Sequence, residues 1–222
     1  MSGASESGLV IRLVRHGESA ANVGLYDPQT EPDFLVPLTE RGHGQARAVG
    51  TALGRETLAS GLLYSSPYLR ARQTLRSILD GAGFSDDERP GLRIYEDPRL
   101  REVDHGYESV EAQEALRARH GWFYYRFKGG ESPADCFDRT SSFLESMMRQ
   151  VERKNARHVL IVTHGLTIRC FVMRFLHLSV EEFDALANPT NCGVITIGPK
   201  DSIGECLHTR GEWGVSGLHE RT

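Results

Sequence analysis

The sequence predicts an α/β domain, a three-layer sandwich whose mostly parallel central sheet is covered by helices on both faces. Short apolar runs rich in β-branched residues, without the alternation of half-exposed strands, indicate buried parallel strands. Stretches with apolar residues at helical spacing separate these runs along the chain. The chain has 222 residues and no segment typical of a linker between two cores, so a single domain over residues 1–222 is expected.

Six segments are predicted to form strands. The clearest patterns are Leu9 to Val14 (LVIRLV) and Val159 to Thr163 (VLIVT), which are short, apolar and β-branched. The other four have weaker patterns, and the last two are expected nearer an edge of the sheet. These four segments are residues 62–65, 92–95, 193–197 and 203–207.

Four helices are predicted between the strands. Thr39 is a suitable N-cap for the first of them. Ser66 followed by Pro67 predicts an N-cap with proline at the first helical position, which begins the second helix. The third and fourth have apolar stripes, and the fourth follows the strand VLIVT directly. The predicted helices span residues 38–58, 66 to about 80, 132 to about 154, and 165–176.

Residues 106–130 interrupt the alternation of strands and helices. This segment is helical in composition near residues 111–119 and dense in aromatic residues over 122–127. We interpret it as a helical insertion that caps the end of the sheet. Its aromatic residues either pack the insertion onto the sheet or contact a bulky or multiply anionic substrate. Residues 1–8 and about 208–222 are expected to be loosely ordered tails.

Composition excludes several classes of partner. A net charge of −4 and a pI near 6.1 argue against nucleic acid, whose binding proteins carry a basic face. The N-terminus lacks the apolar core of a secretion signal, and no stretch is apolar enough for a bilayer span. The four cysteines lack CxxC spacing, which is typical of idle thiols in a reducing compartment. We therefore expect a cytoplasmic protein, and its oligomeric state is left open.

Chemistry-bearing residues follow the predicted strands, where open α/β sheets bind their ligands. Arg15 and His16 follow the first strand, and His164 follows the strand VLIVT. Arg70 lies just after the strand over residues 62–65, and a later loop holds Glu102. Because the carboxyl ends of parallel strands share one edge of the sheet, we expect these five side chains to meet.

This set of residues suits the chemistry of a phosphate ester. Two arginines can hold a phosphoryl dianion, and the helix that begins near Gly165 adds free backbone N–H groups. One neutral imidazole can attack phosphorus while the other donates to a phosphate oxygen. A carboxylic acid can protonate the leaving group and then activate water. Each residue taken alone also fits a turn, a buried histidine or a solvated surface, so the residues by themselves predict an anion site and leave catalysis open.

A set of motifs in this chain closely resembles the signature of the histidine phosphatase superfamily, in its phosphoglycerate-mutase-like branch. The motifs appear in the family's order and span roughly residues 9–198. The resemblance implies an α/β sandwich with a parallel-rich sheet and a helical insertion over the active site. The motifs are LVRHGESAAN, PLTERGHGQA, YSSPYLRARQT, LREVDHG, GGES and VTHGLTIR.

The resemblance also implies roles for individual residues. His16 matches the nucleophile that becomes phosphorylated, and Glu102 matches the proton donor. Arg72 competes with Arg70 for the match to the family's arginine, but the family's position is the one before Ala71, so Arg72 is expected at the surface or behind the site. No metal or other cofactor is implied. The implied phosphate pocket comprises Arg15, Arg70, His164, Asn22 and the backbone of Gly165.

The implied activity is hydrolysis of small phosphorylated molecules by a histidine acid-type phosphatase. The reaction would be ping-pong, with protonated Glu102 donating to the leaving group and then, once ionised, deprotonating the water that hydrolyses the phosphohistidine on His16. Because Glu102 must hold a proton in the substrate complex, we expect a rate optimum on the acidic to neutral side.

Alternatives to a phosphatase stay open. A phosphoglycerate-type mutase uses the same pocket, but the sequence after Glu102 departs from the mutase pattern, and the paired arginines of mutase insertions are missing because Ala118 separates Arg117 from Arg119. A phosphate-binding module would need neither nucleophile nor acid. A metallohydrolase is not supported, because the sequence contains no histidines at HxH or HExxH spacing. The residues after Gly106 also depart from the pattern of many phosphatases of the family, so the sequence does not predict the substrate.

Overall fold

The computed structural model describes residues 8–27 and 30–221 of the chain. At its centre lies a seven-stranded sheet in the order β3-β2-β4-β1-β5-β7-β6. The predicted fold class, an α/β architecture with helices around a central sheet, is confirmed. In chain order the strands are β1 (Val10–Arg15), β2 (Leu62–Ser65), β3 (Ile94–Glu96), β4 (His158–Thr163), β5 (Val194–Pro199), β6 (His208–Arg210) and β7 (Trp213–Ser216).

The sheet is parallel on one side and antiparallel on the other. Strands β3, β2, β4 and β1 form parallel pairs, whereas β5 pairs antiparallel with β1, and β7 and β6 continue antiparallel beyond it. The five strands that the sequence places before residue 200 begin and end within two residues of the predicted bounds. The parallel half holds the carboxyl ends at which the sequence predicts the site.

Within the described residues, seven α-helices pack around the sheet. The predicted N-cap at Thr39 is confirmed because its hydroxyl accepts the Gly42 N–H at 3.1 Å. The predicted first helix is wrong in its length: it ends at Leu53, and a second helix follows. Gly54 separates the two with a φ of 76°, a left-handed conformation that an α-helix cannot contain. The helices are α1 (Glu40–Leu53), α2 (Arg55–Ser60), α3 (Leu69–Gly81), α4 (Glu114–His120), α5 (Pro133–Lys154), α6 (Gly165–Leu176) and α7 (Val180–Ala185).

Successive residues of the central strands face different layers of helices. In β4, Val159 and Ile161 join a core with α5 and α6, whereas Leu160 and Val162 join a core with α1 and α3. Both sets are buried because helices cover both faces, so the strand reads as a continuous apolar run. This burial on both sides explains why VLIVT lacks alternation.

The start of the second predicted helix is a correction. Helix α3 begins at Leu69 after Tyr68, so Ser66 is not its N-cap and Pro67 is not its first residue. The Ser66 hydroxyl instead lies 2.9 Å from Nε2 of His164. The Ser66 side chain, which the local pattern assigns to a helix N-cap, therefore makes a tertiary contact instead.

The C-terminal expectations also need correction. Residues 203–207 form turns rather than a strand, since Gly204 has a φ of 84° and interrupts the extended backbone. Within the tail predicted over 208–222, β6 and β7 form a hairpin, and Val215 pairs with Ile197 of β5. Pairing with the sheet orders a segment whose composition alone indicates a loose tail. Of the predicted N-terminal tail, residues 1–7 lie outside the described residues.

The interrupting segment 106–130 contains a short 3-10 turn and helix α4. Phe123 and Phe127 are buried in a third core, against Cys170 and Phe183. Trp122 is partly exposed, and the guanidinium of Arg117 stacks on its ring. Among the described residues, no helix is both long and apolar enough to cross a membrane.

Candidate active site

Two histidines leave the sheet side by side. Arg15 at the end of β1 pairs in register with Thr163 at the end of β4, so His16 and His164 are the next residues of adjacent parallel strands. Their ring centroids are 5.3 Å apart. His16 is 5% exposed and His164 is fully buried, so both imidazoles are shielded from water.

The proton on His16 is located by its backbone partner. Its Nδ1 lies 2.8 Å from the carbonyl oxygen of Gly17, which can only accept a hydrogen bond. Nδ1 therefore carries the proton, and Nε2 keeps its lone pair. Burial, together with the positive charges of Arg70 and Arg15, lowers the pKa of His16 to about 3, so the ring is neutral near pH 7. A neutral imidazole with a free Nε2 is a nucleophile.

The hydrogen bonds of His164 orient its ring. The Ser66 hydroxyl accepts the Tyr68 N–H at 3.3 Å and lies 2.9 Å from Nε2 of His164, so its own proton is free to be donated to that nitrogen. In the tautomer in which the Ser66 hydroxyl donates to Nε2, the proton of His164 resides on Nδ1, a buried atom without a hydrogen-bond partner in the described part of the chain. Burial and the charge of Arg70 keep the pKa of His164 well below its usual value. The ring thus offers a neutral donor.

Arg15 brings positive charge to the same edge. Its Nη1 donates to the carbonyl of Pro189 at 2.7 Å, while its buried Nε has no partner among the residues that the structure describes. Burial lowers the pKa of Arg15; the charge of Glu102 has a smaller raising effect on this pKa, and the charge of Arg70 lowers it further. Arg15, Arg70 and Glu102 are therefore close enough to affect one another's charge.

Arg70 is buried and already holds an anion. Its Nη1 and Nη2 donate to the two carboxylate oxygens of Asp33 at 3.0 and 3.1 Å, and Nη1 also donates to the Asp33 carbonyl at 2.7 Å. The guanidinium lies 4.9 Å from the ring centroid of Tyr68. This fork-to-fork pairing uses the geometry that would hold a phosphate.

Glu102 lies where two cavities adjoin. Its Oε1 accepts the Val103 N–H at 3.0 Å and a longer contact from the Thr167 hydroxyl at 3.3 Å. Glu102 and His105 line both a cavity of about 480 Å³ beside Arg70 and a smaller one of about 160 Å³. The carboxylate of Glu102 therefore lines both cavities.

Asn22 is connected to His16, at the end of β1, through a residue that the sequence did not single out. Asn191 donates from Nδ2 to the carbonyl of His16 at 3.2 Å and to Oδ1 of Asn22 at 3.0 Å. Ser19 also donates its N–H to that Oδ1, at 3.1 Å. The oxygen of Asn22 is thereby used within the protein, which leaves its Nδ2 as the donor for a ligand.

Gly17 is required by close packing of the loop after β1. A Cβ at Gly17 would lie 2.6 Å from the carbonyl oxygen of Gly42 in α1. The Gly17 N–H donates to the Thr74 hydroxyl at 3.0 Å, and that hydroxyl donates to the Arg70 carbonyl at 2.6 Å. Thr74 thus connects the loop that holds His16 to the helix that holds Arg70.

Two further predicted positions have clear places. Gly165 is the buried first residue of α6, so the N-terminus of this twelve-residue helix lies next to His164. Arg72 is exposed and pairs with Glu96 at 3.3 Å, which agrees with the surface role expected for it. In the part of the chain that the structure describes, no group of three or more His, Cys, Asp or Glu side chains is arranged to hold a metal ion.

The structure thus brings together His16, His164, Arg15, Arg70 and Glu102, and it adds residues that the sequence reasoning missed. Ser66 lies in the motif YSSPYLR, where the local pattern indicates an N-cap. Asp33 begins a short 3-10 turn and Asn191 lies in a turn before β5, both far along the sequence from the residues they contact, and no local pattern marks them. The added residues are Asp33, Ser66, Thr74 and Asn191.

Comparison with known proteins gives consistent matches. The family model described as histidine phosphatase superfamily (branch 1) matches residues 11–210. A phosphoglycerate mutase-like protein of Arabidopsis thaliana is 40% identical, over 93% of this chain and 82% of its own length. A broad-range acid phosphatase of Saccharomyces cerevisiae is 27% identical, over 87% and 86%. The native structure of a mycobacterial glucosyl-3-phosphoglycerate phosphatase superposes with a TM-score of 0.66 at 26% identity, covering 85% of this chain and 89% of that one.

Proposed function

We propose that this chain, which belongs to the histidine phosphatase superfamily, is a metal-independent phosphatase of the histidine acid type. It hydrolyses small phosphate monoesters through a phosphohistidine on His16. The observation that carries the proposal is the neutral His16, whose Nδ1 is committed to the Gly17 carbonyl and whose Nε2 keeps its lone pair beside His164. A histidine that served only to bind an anion would gain from being charged.

The first half-reaction follows from these positions. The substrate's phosphate binds to Arg15 and Arg70, and the Nδ1–H of His164 donates to one of its oxygens. Nε2 of His16 attacks phosphorus and forms the N–P bond as the P–O bond to the leaving group breaks. Glu102, protonated in the complex, gives its proton to the departing oxygen. The alcohol leaves, and the phosphoryl group stays on His16.

The second half-reaction restores the enzyme. Glu102, now a carboxylate, removes a proton from a water molecule that attacks phosphorus. The N–P bond breaks, its electron pair returns to Nε2 of His16, and inorganic phosphate leaves. Glu102 ends protonated, as it began. The arginines carry positive charge throughout, so each step balances without a metal ion.

Phosphoglycerate mutase is the second candidate, because a relative with 40% identity is named as mutase-like. A mutase must keep the phosphoryl group for transfer to a second hydroxyl instead of losing it to water. The yeast relative's name as an acid phosphatase favours hydrolysis, as does the departure of residues 103–107 from the mutase pattern.

The test is turnover of p-nitrophenyl phosphate in excess EDTA. We expect the wild type to be active, His16→Ala to be inactive, and Arg70→Ala to lose most activity. Arg72→Ala is the matched control, because Arg72 is exposed and pairs with Glu96 outside the site. An inert wild type, or an active His16→Ala, would contradict the proposal. Interconversion of 2- and 3-phosphoglycerate faster than phosphate release would favour the mutase.

The cytoplasm is the proposed location. All four cysteines are free thiols in the structure, and three of them are buried, which suits a reducing compartment. Fractionation of cells that express the tagged chain would test this, and recovery with secreted proteins would contradict it.

A further inference from the structure

A second cationic cavity adjoins the candidate active site. It has a volume of about 160 Å³ and is lined by Arg117 of α4, Arg169 of α6 and Arg221 near the C-terminal end of the described chain. Glu102 and His105 line it as well as the larger cavity beside Arg70, so the two cavities meet at the proposed acid. Three guanidinium groups far apart in sequence therefore gather in a cavity that Glu102 also lines.

Arg169 is the most buried of the three, at 2% exposure. Its Nη2 donates to the carbonyl of Phe183 at 2.7 Å and its Nη1 reaches Oδ1 of Asn188 at 3.4 Å. Its Nε is buried without a partner among the described residues. These neutral contacts fix the side chain but do not neutralise its charge.

Stacking, an ion pair and hydrogen bonds hold the other two arginines in place. Arg117 stacks on Trp122 with its guanidinium carbon 3.5 Å from the ring centroid, and one nitrogen pairs with Glu114 at 3.3 Å. Arg221 is anchored by its backbone N–H, which donates to the carbonyl of Ala185 at 2.7 Å. Its Nε donates to the carbonyl of Leu186 at 3.1 Å. Hydrogen bonds to the described residues thus hold the backbone and Nε of Arg221 and leave its terminal nitrogens for a ligand.

The positive charge in this cavity is incompletely balanced. Apart from Glu102, the acid that lines it is Asp184, and within the described chain neither Arg169 nor Arg221 forms an ion pair with it. Burial, reinforced by the charge of Arg221, lowers the pKa of Arg169 to about 10. Burial raises the pKa of Asp184. Its carboxylate is therefore protonated more readily as the pH falls, and it then no longer balances the arginines. A bound anion would relieve this excess of positive charge.

From this juxtaposition we infer that the cavity lined by Arg117, Arg169 and Arg221 binds a second anionic group of the substrate, a carboxylate or a phosphate, carried on the leaving group. The inference rests on the proposed function, because a leaving group whose ester oxygen contacts Glu102 would lie next to the cavity that Glu102 lines. Typical ligand pockets have volumes of about 300 Å³ or more. This cavity is smaller, so it suits a short leaving group.

Binding to His16→Ala tests the subsite without turnover. Calorimetric titration would compare D-3-phosphoglycerate with glycerol 3-phosphate, which replaces the carboxylate by a hydroxymethyl group. A second comparison, 1,3-propanediol bisphosphate against 3-hydroxypropyl phosphate, asks whether the second group is a phosphate. We expect the doubly anionic member of at least one pair to bind about tenfold tighter or more, as charged hydrogen bonds allow.

Variants assign that preference to the arginines. In the His16→Ala background, Arg117→Met with Arg221→Met should reduce the preference to about twofold or less, while methionine keeps the packing of the stems. The charge-matched control is Arg119→Met with Arg210→Met, both exposed and outside the cavity. Arg221→Met alone, at an exposed position, gives the same test if the double variant does not fold. Arg221→Lys should restore part of the preference, which a packing role would not predict.

The outcomes separate the two proposals. Equal binding within both pairs, or a preference that survives the arginine substitutions, overturns the second-anion subsite and leaves these arginines as packing groups. A preference that disappears with the arginines supports the subsite even if the wild type hydrolyses nothing. Failure of the wild type on p-nitrophenyl phosphate contradicts only the proposed hydrolysis.

Discussion

The carboxylate of Asp33 occupies both terminal nitrogens of Arg70, at 3.0 and 3.1 Å. Arg70 is the buried partner, whereas the side chain of Asp33 is half exposed. A substrate phosphate that binds Arg70 must therefore compete with this carboxylate or share the guanidinium with it. The short 3-10 turn that begins at Asp33 also carries the exposed Phe34 and Leu35.

Replacing Asp33 with asparagine should strengthen phosphate binding. The asparagine side chain would lack the charge that competes for Arg70, so we expect the inhibition constant of inorganic phosphate to fall about two- to fivefold, the range of a partly exposed ion pair. Asp86→Asn is the matched control, because Asp86 pairs with Arg76 at an exposed place away from the site. Weaker phosphate binding in Asp33→Asn would show instead that the carboxylate positions Arg70.

Replacing Glu102 with glutamine should slow the release of poor leaving groups most. Glutamine cannot donate a proton to the ester oxygen, so kcat on an alkyl phosphate should fall about 10²- to 10⁴-fold. The loss on p-nitrophenyl phosphate should be clearly smaller, since nitrophenolate leaves without protonation. Glu108→Gln, in the following loop and paired with Lys128, is the control. Equal losses on the two esters would remove Glu102 from leaving-group protonation.

Replacing Ser66 with alanine should disturb the orientation of His164. Loss of the contact at 2.9 Å to Nε2 frees the ring tautomer, and we expect kcat/KM to fall about two- to tenfold, the worth of one net hydrogen bond. Nitrogen-15 spectra should show a change in the protonated ring nitrogen of His164, and Ser66→Thr should restore it. Ser60→Ala, which removes an exposed hydroxyl on α2, is the control. An unchanged tautomer in Ser66→Ala would contradict this positioning role.

The neutral state of His16 should make stability depend on pH in a defined window. The folded chain holds the pKa of His16 at about 3, below the usual 6.5, so only the unfolded chain takes up a proton between these values. This contribution to stability is present above about pH 6.5 and is lost progressively as the pH falls toward 3. Urea midpoints at pH 7 and pH 4.5 should differ less in His16→Gln than in the wild type. His219→Gln, at an exposed position, is the control, and an undiminished difference in His16→Gln would contradict the prediction.

Periodicity in the sequence determined most of the secondary structure and the place of the site. The strand Val159 to Thr163 is apolar throughout because both faces are covered, and parallel strands end at one edge. That rule predicts that His16 and His164 lie at the same edge, and the pairing of β1 with β4 in the structure makes them neighbours. The break of the first helix at Gly54 and the β6–β7 hairpin were not predicted, because a single φ and a pairing with β5 decide them.

The sequence by itself determined the fold class, the family, and the histidines, arginines and carboxylate that gather at the sheet's edge. Only the tertiary structure decided that Asp33 pairs with Arg70, that Ser66 orients His164, and that Arg117, Arg169 and Arg221 share one cavity. The physical reason is the range of the interactions. Strands and helices follow from hydrogen bonds and burial over a few residues, which leave a period in the sequence. Contacts between side chains that are distant in the sequence depend on where their helices and loops lie after packing, and they leave no period in the sequence.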